Sequence, residues 1–244
     1  MKKILTIFGI LLLQLNVFAQ SNIIKISEDI SLVQLSDKAY IHLSLFQTQS
    51  YGKVGANGLL LIDNGKALLF DSPWDDEQTE TLLTWLADSM NISVVGFVPN
   101  HWHEDCMGGL SYLHKQGVKS YANQMTVDIA KHKGLPVPQT GFTDSLGLKL
   151  NNIDVHCYFL GGGHSTDNIV VWIPSEKILF PGCMVKDLSS NNLGNLSDAN
   201  VEQWSPTINK LIIKFPSAEI VIPGHGKHGG KELLTHIKQL LTKQ

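Results

Sequence analysis

The sequence predicts an α/β protein of the αββα type, with two β-sheets packed face to face between outer helical layers. Two observations point to it. A run of β segments followed by helix, strand and helix fills the first half of the chain, and the same order recurs in the second half. The helical segments carry an apolar stripe on one side only, so they belong on the outside of sheets.

At the N-terminus, Lys2 and Lys3 precede an apolar run from Ile4 to Leu13, and Val17-Phe18-Ala19 supplies a small-residue cleavage signal before Gln20. Residues 1–19 read as a secretory signal peptide. The run is too short for a spanning helix, which needs about 20 apolar residues, although an uncleaved N-terminal anchor is the competing reading. No Cys follows the run to take a lipid. The expectation is an exported, soluble chain with no membrane attachment after cleavage, and a monomer. Residues 20–244 then form a single domain built of two β-rich halves, with no linker between them.

The mature chain opens with β segments at Ile41 to Phe46, Leu59 to Leu61 and Ala67 to Phe70, an antiparallel meander. Between the first two, Tyr51-Gly52-Lys53-Val54-Gly55-Ala56-Asn57-Gly58 reads as a mobile hairpin tip carrying an exposed Tyr51 and Val54; a plain surface turn and a substrate flap are equally compatible with it. A helix follows Asp75-Asp76-Glu77, with Leu82, Leu83, Leu86 and Met90 on one face, and then a strand from Val94 to Val98. Asn100 to Gly109 is therefore expected as a loop at a strand end. Helix from Leu110 to Lys115, strand from Val118 to Tyr121 and helix from Met125 to Lys133 complete the half, with Pro136 and Pro138 ending the last helix.

In the second half the β segments are Leu146 to Leu150, Val155 to Leu160, Ile169 to Ile173 and Ile178 to Phe180. Ser205-Pro206 reads as a helix start, with Ser as N-cap and Pro at the first position, and Ile208, Leu211, Ile212 and Phe215 form its stripe. Strand Ile220 to Ile222 runs into Pro223-Gly224-His225-Gly226. Trp74, Trp85, Trp172 and Trp204 read as core residues.

The chain carries 22 acidic residues against 19 basic ones, all Lys and none in a dense run, which excludes a nucleic-acid footprint. Three cysteines, Cys106, Cys157 and Cys183, are an odd number for an oxidising compartment, so at least one stays outside any internal disulfide.

Chemistry concentrates at strand ends. His101-Trp102-His103-Glu104-Asp105 alternates two imidazoles and a carboxylate, which in an extended loop point to one side. Imidazole nitrogens suit zinc, and Asp adds a harder oxygen. His164, Cys183 and His225 each follow a β segment and stand beside glycine, which permits a sharp turn and close approach to a metal. Any one of them alone is compatible with a buried or turn residue, but one arrangement repeated at four strand ends is a metal-site pattern.

This set, His-x-His-x-Asp with later His, Cys and His, resembles the metallo-β-lactamase superfamily over nearly the whole mature chain, and within it the class B β-lactamases of the di-zinc, carbapenem-hydrolysing type. The resemblance implies two Zn2+ ions, one on His101, His103 and His164 and one on Asp105, Cys183 and His225. Many lactonases and thioesterases of the superfamily have His directly after the Asp and a bridging Asp in place of Cys183; this chain has Cys106 and Cys183, which favours the β-lactamase branch. Cys106 reads as a group behind the ligands, although its closeness leaves a ligand role open. The resemblance further implies that Lys186 pairs with the carboxylate of a β-lactam and that Asn195 helps bind the lactam carbonyl oxygen. Both are also residue types common on solvated loops. Asp71 is expected to brace the His101 loop without a catalytic role.

The implied reaction is attack of a zinc-bound hydroxide on the lactam carbonyl, with Asp105 orienting it, Asn195 assisting at the oxyanion and Tyr51 closing over the substrate. Such an enzyme in the periplasm protects cell-wall synthesis. Two rivals stand beside this reading: the same fold acting on a lactone, thioester or phosphodiester, and an exported zinc-binding protein without turnover.

Overall fold

The computed structural model describes residues 23–243, so the signal peptide read over residues 1–19 lies outside the described residues. In chain order the first half contains β1 (Ile23–Lys25), β2 (Ile30–Gln34), β3 (Ala39–Thr48), β4 (Gly52–Asp63), β5 (Lys66–Phe70), α1 (Asp76–Met90), β6 (Ser93–Val98), α2 (Glu104–Met107), α3 (Leu110–Lys115), β7 (Lys119–Asn123), α4 (Gln124–Lys133) and β8 (Thr140–Phe142). The second contains β9 (Ser145–Leu150), β10 (Ile153–Phe159), β11 (Ile169–Ile173), β12 (Ile178–Gly182), α5 (Val201–Lys214), β13 (Ile220–Pro223) and α6 (Glu232–Leu241).

β1 to β8 form one sheet in sequential order, antiparallel through β5 and parallel from β5 to β8. The other sheet runs β13-β12-β11-β10-β9, antiparallel except for the β12–β13 pair. Alternate residues of both sheets, among them Leu59, Leu61, Phe70, Val155, Val171, Phe180 and Ile222, bury one another in the central core. The outer face of the first sheet is covered by Leu82 and Leu86 of α1, Leu110 and Leu113 of α3 and Ala130 of α4. The outer face of the second is covered by Trp204, Ile208 and Leu211 of α5 and Leu233 and Ile237 of α6. This is the four-layer αββα arrangement. No helix of the described residues is long and apolar enough to cross a membrane.

Four local expectations are corrected. β3 and β4 are long strands paired in register from Ala39–Leu61 to Thr48–Gly52, so the hairpin tip is confined to residues 49–51 and Gly55 to Gly58 lie within β4. Gly58 sits there for close approach, because a Cβ would collide with the His42 imidazole. Asp105 stands on the first turn of α2, so it meets His101 across the bend at residues 101–103 that leads into the helix and not by strand alternation. α4 ends at Gly134, which adopts the left-handed conformation (φ 67°) as C-cap, before the prolines are reached. α5 starts at Asn200, not Ser205: the Asn200 side chain accepts from the Gln203 amide, and the helix is extended by burial of Trp204, whose indole donates to the Met184 carbonyl. Pro206 lies inside α5.

Candidate metal centre

The parallel strands β5 and β6 end side by side, and their carboxyl ends set the first wall of the site. Asp71, just after β5, takes the left-handed conformation (φ 57°), which Asp tolerates better than most residues. From there its buried carboxylate accepts from the Asn100 amide (2.5 Å) and the Asn100 side chain (3.0 Å), one residue before His101. Burial pushes the Asp71 carboxyl well above its usual range, against these two hydrogen bonds. On the other side of the same loop, Asp167 accepts from the Trp102 amide (3.0 Å) and the Thr126 hydroxyl (2.7 Å), and the Ile169 amide donates to the Asn100 carbonyl. The expected brace by Asp71 is thus present, and Asp167 adds a second that the sequence reading missed.

His101, His103 and His164 converge. Their ring centroids lie 4.5 to 5.2 Å apart, all edge to face, and His101 Nε2 is 2.9 Å from His103 Nδ1. His103 Nε2 is held by Asp198 (3.0 Å), which leaves Nδ1 facing the other rings. Asp198 comes from a loop 95 residues away, and no local pattern marks it. Burial, then the neighbouring His103, holds the His101 imidazole well below its ordinary value, and burial followed by Lys186 lowers that of His164 to about 3. Neutral imidazoles at His101 and His164 offer lone pairs, which is the state a cation needs.

Beside this triad lies a second. Asp105 Oδ2 is 3.0 Å from His225 Nε2 and 3.3 Å from the Cys183 sulfur, and the sulfur is 3.4 Å from His225 Nε2. His225 Nδ1 lies 2.8 Å from the Gly55 carbonyl; since a carbonyl only accepts, Nδ1 carries the proton and Nε2 is presented to the site. The turn that carries His225 is tied down by Asn57, whose side chain donates to the carbonyls of Pro223 and Gly226 and whose amide donates to Gly224. Residues 55–57 are therefore scaffold for the His225 turn and not a mobile tip. Burial opposes charge on Asp105, but the His225 hydrogen bond and the surrounding imidazoles outweigh it and hold the carboxyl well below the usual range. The neighbouring Cys106, and after it His225, lower the Cys183 thiol to about 6 against its burial.

The two donor triads share one floor beneath a cleft of about 600 Å³. Tyr51, Trp74 and Trp102 give the cleft apolar surface, and Lys186 and Asn195 give it polar groups. Trp74 is a correction: it is only partly buried, stacks on Phe46 at 5.3 Å and stands 6.5 Å from the His225 ring, so it lines the cleft. Trp102 went unassigned in the sequence and lies under the Lys133 ammonium at 4.1 Å. Asn195 Oδ1 accepts from the Ser197 amide, so it forms a turn and still leaves its Nδ2 donor free for the cleft. Tyr51 is 68% exposed at the hairpin tip.

The donor chemistry fits zinc at both triads: three imidazoles in one, and carboxylate, thiol and imidazole in the other, with neighbouring nitrogen, oxygen and sulfur atoms close enough to share a cation. No protein-family model matches the chain. A Bacteroides fragilis protein named metallo-beta-lactamase type 2 is 55% identical over 227 residues, covering 93% of this chain and 91% of that relative. The chain belongs to the metallo-β-lactamase family. A Bacillus cereus metallo-beta-lactamase type 2 is 35% identical over 212 residues, 87% of this chain and 82% of the relative. The solved structure of a metallo-β-lactamase from Pontibacter korlensis superposes with a TM-score of 0.85 at 37% identity, covering 88% of this chain and all of that one. The αββα fold and the class B type of metallo-β-lactamase site follow from these relationships together with the geometry.

Proposed function

We infer that the chain is a zinc-dependent β-lactamase that hydrolyses the lactam amide of penicillins, cephalosporins and carbapenems and so confers antibiotic resistance. The observation that supports it most directly is the pair of donor triads under one open cleft, in a chain 55% identical to a metallo-β-lactamase. His101, His103 and His164 would hold one zinc ion, and Asp105, Cys183 and His225 the other. Bound zinc supplies Lewis acidity and an acidified water at neutral pH.

The chain's own groups do the rest. Lys186, partly buried with its ammonium 5.8 Å from the Trp204 ring centroid, is a cation whose charge burial disfavours, so a substrate carboxylate at its ammonium restores what desolvation removed. That pairing orients the lactam over the floor. Asn195 Nδ2 donates to the lactam carbonyl oxygen as negative charge grows there, an effect for which one donor can be worth about 3 kcal/mol. Asp105 Oδ1 faces the imidazole triad, 3.9 Å from His101 Nε2, where it orients the attacking water. Tyr51 covers the substrate from the hairpin tip. The apolar run at the N-terminus and the substrate class together favour a periplasmic home.

Hydrolysis of a carbapenem and a cephalosporin by purified protein, followed by loss of lactam absorbance, tests this. Turnover is expected, abolished by a chelator and restored by zinc. A zinc-loaded protein that turns over no β-lactam overturns the reading.

A further inference from the structure

The segment that leads into His164, Gly161-Gly162-Gly163, has no side chains of its own to hold it. What holds it is one stripe of α5: Asn200, Gln203 and Thr207 follow the i, i+3, i+7 spacing of a single helix face. The Thr207 hydroxyl donates to the Gly162 carbonyl (2.8 Å), the Gln203 side chain accepts from the Gly162 amide (3.2 Å), and the Asn200 amide donates to the Gly163 carbonyl (2.8 Å). The approach is close, because a Cβ at Gly161 would collide with the Thr207 hydroxyl and one at Gly162 with Asn200. Thr207 is 1% exposed. A threonine inside a helix commonly turns its hydroxyl to the carbonyl four residues back, whereas this one is directed out of the helix at the loop.

We propose that Thr207 is a positioning residue for the imidazole triad: through the Gly162 carbonyl it fixes the backbone from which His164 reaches the floor. The proposal rests on the reading of His164 as a zinc donor. His101 is placed by the first half of the chain, behind the Asp71–Asn100 brace, whereas His164 comes from the second half, so the spacing of the two rings depends on how the His164 loop is seated. After His164 the loop is held by the Asn168 side chain, which accepts from the Ser165 amide. Before His164 it is held by α5, and the first turn of that helix, begun at Asn200, brings Asn200 and Gln203 against it. Removing the Thr207 hydroxyl leaves the buried Gly162 carbonyl without that donor, and the loop must shift to satisfy it. The shift moves the imidazole that completes the triad. Asp105, Cys183 and His225 hydrogen-bond to other groups and keep their arrangement.

Cobalt(II) is the probe, added to the full chelator-stripped chain, because its spectrum separates the triads: sulfur-to-cobalt charge transfer in the near ultraviolet follows Cys183, and the visible ligand-field bands follow the imidazole donors. Zinc affinity is measured beside it by competition with a chelator. Thr207→Val, which keeps the shape and removes the hydroxyl, is expected to alter the visible bands and weaken zinc binding about tenfold while retaining the sulfur band. Thr207→Ser, which keeps the donor, is expected to restore both. A folded Thr207→Val protein with wild-type bands and affinity overturns the proposal, and so does an equal loss of both signatures, which marks a general structural role. Unchanged visible bands in His164→Ala overturn the reading of His164 as a donor as well. If Thr207→Val does not fold, Gln203→Leu decides, since it removes another tie to Gly162 from an exposed position: altered visible bands with the sulfur band retained support the clamp, and an unchanged spectrum overturns it.

Discussion

The floor and the rim of the cleft are built by opposite rules. Three floor residues are tied from behind: His101 follows the Asp71–Asn100 brace, His103 is held by Asp198, and His225 is held by Gly55 and Asn57. The rim has few such ties. Tyr51 hangs from a three-residue tip whose main support is the Thr48 hydroxyl, which donates to the Gly52 carbonyl and accepts from the Tyr51 amide. A rigid floor fixes where charge can develop, and a lightly tethered rim lets substrates of different shape reach it.

Changes to the floor should therefore cost most. His101→Ala removes an imidazole that is 0% exposed and stands between the two triads. Its kcat/KM for a carbapenem is expected to fall on the order of 10³-fold, with zinc content lowered in the purified protein. Retention of full zinc content and turnover would show that His101 is only packing. Asp71→Ala acts one layer behind. It strands the buried Asn100 amide and side chain, and each unsatisfied group costs about 1–3 kcal/mol. A urea titration should show about 3 kcal/mol of lost stability and zinc affinity should drop about 10-fold or more. Asp71→Asn, which tolerates the same left-handed backbone and keeps one acceptor, should lose less.

The sheets and their helical cover were legible in the sequence because each rests on a local pattern, alternation or an amphipathic stripe, and the six side chains that converge at the floor were picked out by their spacing, by glycine at strand ends and by the family resemblance. What stayed hidden depends on partners far along the chain. Asn57 reads as part of a turn until β4 is seen to pass the Pro223–Gly226 loop, and Asp198 reads as a loop acid until it meets His103. The start of α5 was misplaced for a related reason. Ser205-Pro206 is a good local start signal, but burying Trp204 against Met184 outweighs the hydrogen bond Pro206 cannot make.

His42 extends the contrast to pH. Its ring is buried, its Nε2 donates to the Asp71 carbonyl, and burial lowers its value to about 4. The folded state keeps it neutral while the unfolded chain takes a proton near pH 6.5, so its contribution is complete above that and declines as pH falls toward 4. The loss should reach about 3 kcal/mol by pH 4. His42→Gln keeps a donor without the titration and should show a flatter acid limb in urea midpoints; equal limbs would place the acid sensitivity elsewhere.

On the rim, Lys186→Ala should raise KM about tenfold for carboxylate-bearing substrates, the value of one charged pair, with a smaller change in kcat. Tyr51→Ala should do least. The ring is mostly in water without substrate, and covering it stabilises the complex only by the part of its apolar surface the substrate removes from solvent, about 1 kcal/mol. A rise in KM of about threefold to fivefold is expected, similar across a penicillin, a cephalosporin and a carbapenem because apolar cover does not distinguish their side groups. Tyr51→Phe should behave as wild type if the ring face makes the contact. An unchanged KM in Tyr51→Ala would mean that the tip stays clear of bound substrate and that Trp74 and Trp102 alone supply the apolar wall.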